Sequence, residues 1–274
     1  RNLKPGNLFL TIKGKNHDGV KFIPKAIKKG AQHIISSRSP KKFKFKTIKV
    51  KNEKFFLNHF ALRKRDISDA KIIAITGSAG KTSLKNLIKD LLANYGKTFS
   101  SPKSYNNHYG VPLSLSQLDP SYKYGIFEVG MSKAGEINRL SKLIRPHIGI
   151  ITNVGEAHIE NFKNLKGIAR AKAELINNIK RDGIIILNRD DKFFNYFEKK
   201  SKSRNLKIIS FGKSKKSDIQ LTSMTSSRKS NHFLIKTKEE IFRVEIKNIN
   251  IYNVLSSIAL LKELKLNLKE IIKY

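Results

Sequence analysis

The stretch from Lys71 to Tyr95 limits what this chain can fold into more than any other. Lys71 to Thr76 is a short apolar run containing Ile72, Ile73 and Ile75, with polar residues before it and glycine after it, the pattern of a buried strand. Gly77-Ser78-Ala79-Gly80-Lys81-Thr82-Ser83 follows. Leu84, Leu87, Ile88, Leu91, Leu92 and Tyr95 then recur at helical spacing and form one apolar face. The glycine loop therefore lies between a buried strand and a helix N-terminus, where unpaired amides and the positive end of the helix dipole favour an anion. Gly77 and Gly80 let the backbone close on phosphate oxygens, Lys81 can reach the β and γ phosphates, and the Thr82 hydroxyl can bind Mg2+. The spacing is shorter than that of the standard P-loop, because Ile75 stands where that pattern has its first glycine. The agreement of strand, loop and helix separates a phosphate site from an incidental turn.

The rest of the chain alternates strands and helices around this unit. With 274 residues, two domains are expected, divided at the charged connection Arg63 to Asp69 into residues 1–66 and 67–274. The first reads as a small α/β substrate domain, with strands at Asn7 to Ile12, His33 to Ser36 and Thr47 to Val50, and helices at Ile23 to Lys29 and Phe55 to Arg63. In the second, apolar runs at Gly125 to Val129, Ile148 to Thr152, Gly183 to Leu187 and Lys207 to Phe211 alternate with helical patterns at Glu136 to Ile144, Ile168 to Ile179 and Phe193 to Lys200. That alternation predicts a mostly parallel sheet with helices on both faces and ligands at the carboxyl ends of its strands. Phe233 to Lys236 and Ile241 to Ile246 read as a hairpin, and Asn253 to Leu264 as a helix.

The formal charge of +35 raises the question of nucleic acid. The excess is mostly lysine, spread through every segment beside abundant isoleucine and asparagine, as an AT-rich coding sequence would produce. No nucleic-acid partner is expected. Phe43 and Phe45 alternate with Lys41, Lys42, Lys44 and Lys46, which fits an exposed edge strand at least as well as a base-stacking platform, with solvated faces and loops the favoured reading for such lysine clusters. Cysteine is absent, excluding disulfides and thiolate chemistry, and no apolar run is long enough to span a bilayer. A soluble, cytoplasmic monomer is the expectation.

Five further residues carry candidate chemistry. Glu128 lies at a strand end on the phosphate side, suited to hold Mg2+ opposite Thr82, although a surface glutamate is the alternative. His158 follows Thr152 in a loop and reads equally as a metal or phosphate ligand or as a solvated side chain. Lys172, among Ile168, Ala169, Ala171 and Ala173, reads on the residues alone as a snorkelling stem. Asn106 and Asn107 open a polar turn before an apolar helix and serve either as substrate-orienting amides or as a helix cap.

Together these segments resemble the Mur ligase family. The resemblance runs through Ile75 to Thr82, Asn106 to Leu113, Glu128 to Met131 with Gly135-Glu136-Ile137, Arg145-Pro146, Ile151 to Val154, Ala157 to Glu160, Ile168 to Glu174 and Leu187 to Asp191. Leu8-Phe9 and Gly14 to Gly19 similarly look like the family's uridine-binding first domain. The resemblance implies an ATP-dependent carboxylate–amine ligase of peptidoglycan precursor synthesis. Within the family it points to the branch that adds D-alanyl-D-alanine to UDP-N-acetylmuramoyl-tripeptide through an acyl phosphate. It assigns ATP phosphates to Lys81 and the loop from Gly77 to Ser83, one Mg2+ to Thr82 and Glu128, and a second to His158. Lys172 matches a lysine that several members carbamylate into a bridging metal ligand. Asn253 resembles an adenine-contacting asparagine, and Arg1, Asn106 and Asn107 fall at substrate-binding positions.

Departures from the family pattern are Ala79 for a loop asparagine, Val20 and Tyr252 for histidines, and Ser256 for the second asparagine of the adenine motif. By the same alignment the chain is expected to be incomplete at both ends and to lack the third domain that closes over ATP. It would then bind ATP with Mg2+ without ligating. The rival readings are another Mur-type or folylpolyglutamate-type ligase, and a basic nucleic-acid-binding NTPase.

Overall fold

A computed structural model of the chain describes residues 3–14, 17–38, 41–226, 231–246 and 249–268. Arg1, and Lys15 and Asn16 of the polar turn, lie outside the described residues. By its contacts the chain divides into two units, Arg1–Arg63 and Lys64–Tyr274.

The first unit holds β1 (Leu8–Leu10), α1 (Ile23–Lys28), β2 (His33–Ser36), β3 (Thr47–Lys49) and most of α2 (Glu53–Asp66). Its three strands pair in parallel in the order β1-β2-β3. Ile23, Ala26, Ala31 and Ile34 form its small core. Between β1 and α1, Asp18 accepts from the Val20 amide at 2.9 Å and caps a 3-10 turn over Gly19–Phe22. The Arg38 guanidinium beside Asp18 holds its carboxyl down at about 2. Gly19 admits no side chain, because a Cβ there would lie 2.6 Å from the Thr11 backbone.

Two expectations for this unit are corrected. Lys41–Lys46 is not an edge strand but a run of 3-10 turns, with a kink at Phe43 whose carbonyl accepts from the Thr47 hydroxyl at 2.8 Å. Phe43 packs against the core while Phe45 is 80% exposed, so the alternation of aromatics and lysines reflects a turn. Helix α2 runs on to Asp66, which makes part of the charged connection helical.

The second unit is built on a nine-stranded sheet. Along the chain come β4 (Lys71–Thr76), α3 (Lys81–Ala93), β5 (Thr98–Ser100), α4 (Gly110–Leu115), β6 (Tyr124–Glu128), α5 (Glu136–Ile144) and β7 (Ile148–Ile151). They are followed by α6 (Leu165–Lys172), β8 (Ile184–Asn188), α7 (Phe194–Lys202), β9 (Lys207–Gly212), β10 (Ile219–Ser226), β11 (Asn231–Lys236), β12 (Ile241–Ile246) and α8 (Ile251–Glu263). The strand order is β12-β11-β10-β9-β8-β7-β4-β6-β5, parallel throughout except for the β10-β11-β12 meander.

Strand β4 is central, and Ile73 and Ile75 pack with Leu84, Ile88 and Leu91 of α3 and with Val254, Leu255 and Ile258 of α8 on one face. Ile137, Leu140 and Ile144 of α5 are buried outside that cluster and cover the other face. Register aligns the carboxyl ends: Ile75 pairs with Glu128 of β6, and Thr76 with Ile151 of β7. This alignment brings the glycine loop, Glu128 and the loop after β7 to one rim of the sheet.

The expected helix Ile168 to Ile179 is instead α6 followed by 3-10 turns over Ala173–Asn178. The change lets Glu174 reach the N-terminus of α5, where it accepts from the amides of Gly135 at 2.7 Å and Asn138 at 2.9 Å. Among the described residues no helix is long and apolar enough to cross a membrane.

Candidate functional site

The loop after β4 is held from below by the end of β7. Asn153 Oδ1 accepts from the amides of Ser78 at 3.2 Å and Ala79 at 2.9 Å, and the Thr152 hydroxyl donates to the Ala79 carbonyl at 2.8 Å. Ser78 Oγ donates to the Gly155 carbonyl at 3.0 Å and accepts from the Gly155 amide at 2.8 Å. At Gly77 (φ 157) a Cβ would stand 1.8 Å from Thr152 Oγ1, so only glycine lets loop and strand end approach this closely. Gly80 takes the left-handed conformation (φ 80) that starts α3 without a side-chain cap. Asn153 thus takes the Ser78 and Ala79 amides, and the loop runs directly into the first turn of α3, where Thr82 and the exposed Ser83 lie. Lys81 lies back along the loop, donating to the carbonyls of Gly77 at 2.7 Å and Ser78 at 3.3 Å. Burial lowers its pKa and the Glu128 charge opposes that.

On the β6 side the Thr82 hydroxyl donates to Glu128 Oε2 at 2.7 Å. Asn106 Nδ2 donates to Glu128 Oε1 at 2.8 Å, and Ser104 Oγ lies 3.4 Å from Thr82 Oγ1. Glu128 is 1% exposed, so the surface-glutamate alternative does not apply. Asn107 Oδ1 accepts from the amides of Tyr109 at 3.1 Å and Gly110 at 2.9 Å and caps the start of α4.

Gly77, Ser78, Lys81, Asn106, Asn107, His158 and Lys172 line a single cavity of about 440 Å3. Met131, Glu136, Arg139 and Leu140 line it as well. His158 adopts a left-handed conformation (φ 65) with Nδ1 3.8 Å from Glu160. Lys172 does not snorkel. It is 3% exposed, and burial together with the Lys81 charge brings its pKa down to about 7, against the opposing pull of Asp191. Asn253, 5% exposed, sits beside Gly80, with its Oδ1 3.2 Å from where a Cβ there would stand; it does not line the cavity. Its neighbour Tyr252 donates to Asp190 at 3.0 Å.

Several supporting residues had only weak signals in the sequence. Asn153 and Asp191 are a polar amide and a carboxylate just past strand ends. The Asp191 carboxylate accepts from the amides of Val154 at 2.7 Å and Phe193 at 2.8 Å, bracing the loop after β7. Lys85 is 1% exposed, although helical spacing puts it at the edge of the apolar face of α3 beside the exposed Lys89, so the sequence alone does not mark it as interior.

The arrangement joins an amide cradle for an anion, two hard oxygen donors, an amine with a pKa near neutrality and an imidazole. The family model described as "Mur ligase middle domain" matches residues 75–261, and the one described as "Mur ligase family, catalytic domain" matches residues 1–65. The chain is 34% identical over 261 residues to the UDP-N-acetylmuramoyl-tripeptide--D-alanyl-D-alanine ligase of Buchnera aphidicola subsp. Baizongia pistaciae, covering 94% of this chain and 56% of that one. Its structure is similar to a crystal structure of MurF from Acinetobacter baumannii (TM-score 0.88, 29% identity, 99% of this chain and 60% of that chain). It is also similar to MurF ligase from Thermotoga maritima in complex with ADP (TM-score 0.85, 26% identity, 97% and 62%). The chain spans between 56% and 62% of the length of these three relatives. From the matched segments, the strand order and the loop at the sheet's rim, this chain belongs to the Mur ligase family.

Proposed function

We propose that this chain acts in an ATP-dependent ligation joining D-alanyl-D-alanine to the peptide carboxylate of UDP-N-acetylmuramoyl-tripeptide. The observation that carries the reading is the convergence of Lys81, Asn106, His158 and Lys172, from four separate segments, on one cavity at the Gly77–Ser78 end of the loop. The names of the relatives point to the same substrates.

A substrate carboxylate oxygen attacks the γ-phosphorus of ATP, forming an acyl phosphate as the bond to ADP breaks. The dipeptide amine then attacks the acyl carbon, the C–O bond breaks, inorganic phosphate leaves and the amine loses a proton. Because the reactants are charged, positioning and charge neutralisation dominate such a reaction. The amides at the start of α3 and the Lys81 ammonium would bind the β and γ phosphates.

Mg2+ fits the residues present. Glu128 is a buried carboxylate beside a hydroxyl, a hard oxygen set, and among the described residues no three His, Asp or Glu side chains gather into a fuller cage. Mg2+ is commonly held by one or two carboxylates plus substrate phosphates and water. Thr82 and Glu128 would hold it, and when bound it would neutralise phosphate charge. Asn106 keeps the Glu128 carboxylate oriented. Burial holds the Lys172 pKa down to about 7, which favours the neutral amine that would add CO2 and lose a proton to give a carbamate. That carboxylate and His158 would form a second metal position. Asn253, beside the loop, would contact adenine.

The test is phosphate release by the native protein with ATP and Mg2+. Release that requires both the muramyl tripeptide nucleotide and D-alanyl-D-alanine is expected. Turnover with another amino acid acceptor would transfer the assignment to another Mur-type or folylpolyglutamate-type ligase. Turnover stimulated by nucleic acid and indifferent to muramyl nucleotides would overturn the ligase reading.

A further inference from the structure

Lys85 is a fully interior lysine one helical turn beyond Lys81, between Leu84 and Ile88 on the apolar side of α3. An aliphatic side chain would fill this position without the cost of removing an ammonium from water. Its Nζ donates to the carbonyl of Ser101 at 2.8 Å and to that of Lys103. Burial lowers its pKa while the charge of Glu128 raises it, so the carboxylate stabilises the ammonium.

The segment Lys85 grips leads directly to the metal-side residues. Ser101 is clasped from both sides, because its hydroxyl also accepts from the Glu128 amide at 3.2 Å. Lys103 is held in the left-handed conformation (φ 47), which a non-glycine residue rarely adopts without outside support. Two tight bonds then reverse the chain, Tyr105 N to Pro102 O at 3.0 Å and Asn106 N to Ser104 O at 2.8 Å. The reversal sets Ser104 against Thr82 and Asn106 against Glu128.

We infer that Lys85 is a positioning residue for the metal–nucleotide site: its grip on Ser101 and Lys103 folds residues 101–106 so that Thr82 and Glu128 are held ready for Mg2+. This rests on the nucleotide reading above but extends it to a residue that touches neither phosphate nor metal. Lys85 tunes the metal dependence of nucleotide binding more than nucleotide binding itself.

The test is calorimetric titration of the chain and its Lys85→Met variant with ADP, in EDTA and over a series of Mg2+ concentrations, with thermal melts alongside. In the variant, the Mg2+ concentration giving half of the metal-dependent tightening should rise about tenfold or more, as loss of outer-shell support does at metal sites. Affinity in EDTA should change by less than about twofold. Parallel losses with and without Mg2+, or an unchanged Mg2+ dependence, overturn the inference and leave Lys85 a packing residue. If Lys85→Met does not fold, Lys85→Gln takes its place, removing the ammonium and shortening the side chain while keeping a polar donor at the buried position. A rise of about threefold in the same Mg2+ midpoint is then expected, and no change overturns the inference. A wild-type chain that binds no ADP under any condition contradicts the nucleotide reading itself, a result distinct from either variant outcome.

Discussion

Thr82 and Glu128 meet at 2.7 Å although 46 residues separate them, because the pairing of Ile75 with Glu128 brings the end of β6 alongside the start of the loop. Both Glu128 oxygens are taken by neutral donors, Thr82 and Asn106, which orient the carboxylate without neutralising it. Glu128→Gln preserves size and removes the charge. It should weaken the Mg2+-dependent part of nucleotide binding by about 10- to 100-fold and leave metal-free binding nearly unchanged, as titrations with and without EDTA would read. Equal losses in both conditions would contradict the metal role.

Lys172 makes the stability of the second unit depend on pH. Its pKa is about 7 in the folded chain against the ordinary 10.5, so between these values the unfolded chain binds the extra proton and stability rises with pH. Below about 7 both states are protonated and the cost of the buried charge is fully present. Lys172→Met should therefore stabilise the protein most at pH 6, by on the order of a few kcal/mol, with the advantage shrinking towards pH 10. Chemical denaturation of both proteins across that range checks the slope. A pH-independent difference would contradict the burial of the amine.

Gly77→Ala places a methyl against Thr152 Oγ1, the atom that anchors the Ala79 carbonyl. The loop or the end of β7 must move, with an expected stability loss of about 1–3 kcal/mol and nucleotide affinity reduced about 100-fold. Combining it with Thr152→Ala removes the clashing oxygen and should recover part of the stability but not the affinity. Thermal melts and nucleotide titration of the two variants separate these effects.

Asn153 is predicted to matter as much as Gly77 for stability and less for affinity. Its Oδ1 holds the Ser78 and Ala79 amides, so Asn153→Ala should cost about 1–3 kcal/mol and loosen the loop. Nucleotide affinity should fall about tenfold even though Asn153 offers the phosphates no donor of its own. An unchanged affinity would show that the loop keeps its shape without this support.

Legibility in the sequence followed the strength of local pattern. The expected bounds of β4, β2 and α5 match the structure because isoleucine runs, glycine stops and helical spacing all act locally. Strand β5 has only three residues, and β10 is rich in serine and threonine with Thr222 to Thr225 all exposed, so neither carried an apolar signal. Period-two alternation around Phe43 and Phe45 could not distinguish a strand from a kinked turn closed by Thr47. The chemistry of Lys172 was hidden for a different reason: its helix shows small residues along the sequence, and only tertiary packing, which sets Lys172 on the cavity wall with Gly77, Ser78 and Lys81, makes the lysine interior. Burial of a charge is a tertiary fact, so its pKa cannot be read from neighbours in the chain.

The most direct test of the central claim is calorimetric titration of the chain with ATP and Mg2+, repeated with Lys81→Ala. The account predicts saturable binding by the wild type that weakens at least about tenfold in the variant, about 1.4 kcal/mol, because the substitution removes the ammonium assigned to the phosphates. No saturable binding, or binding that survives the substitution unchanged, would contradict it.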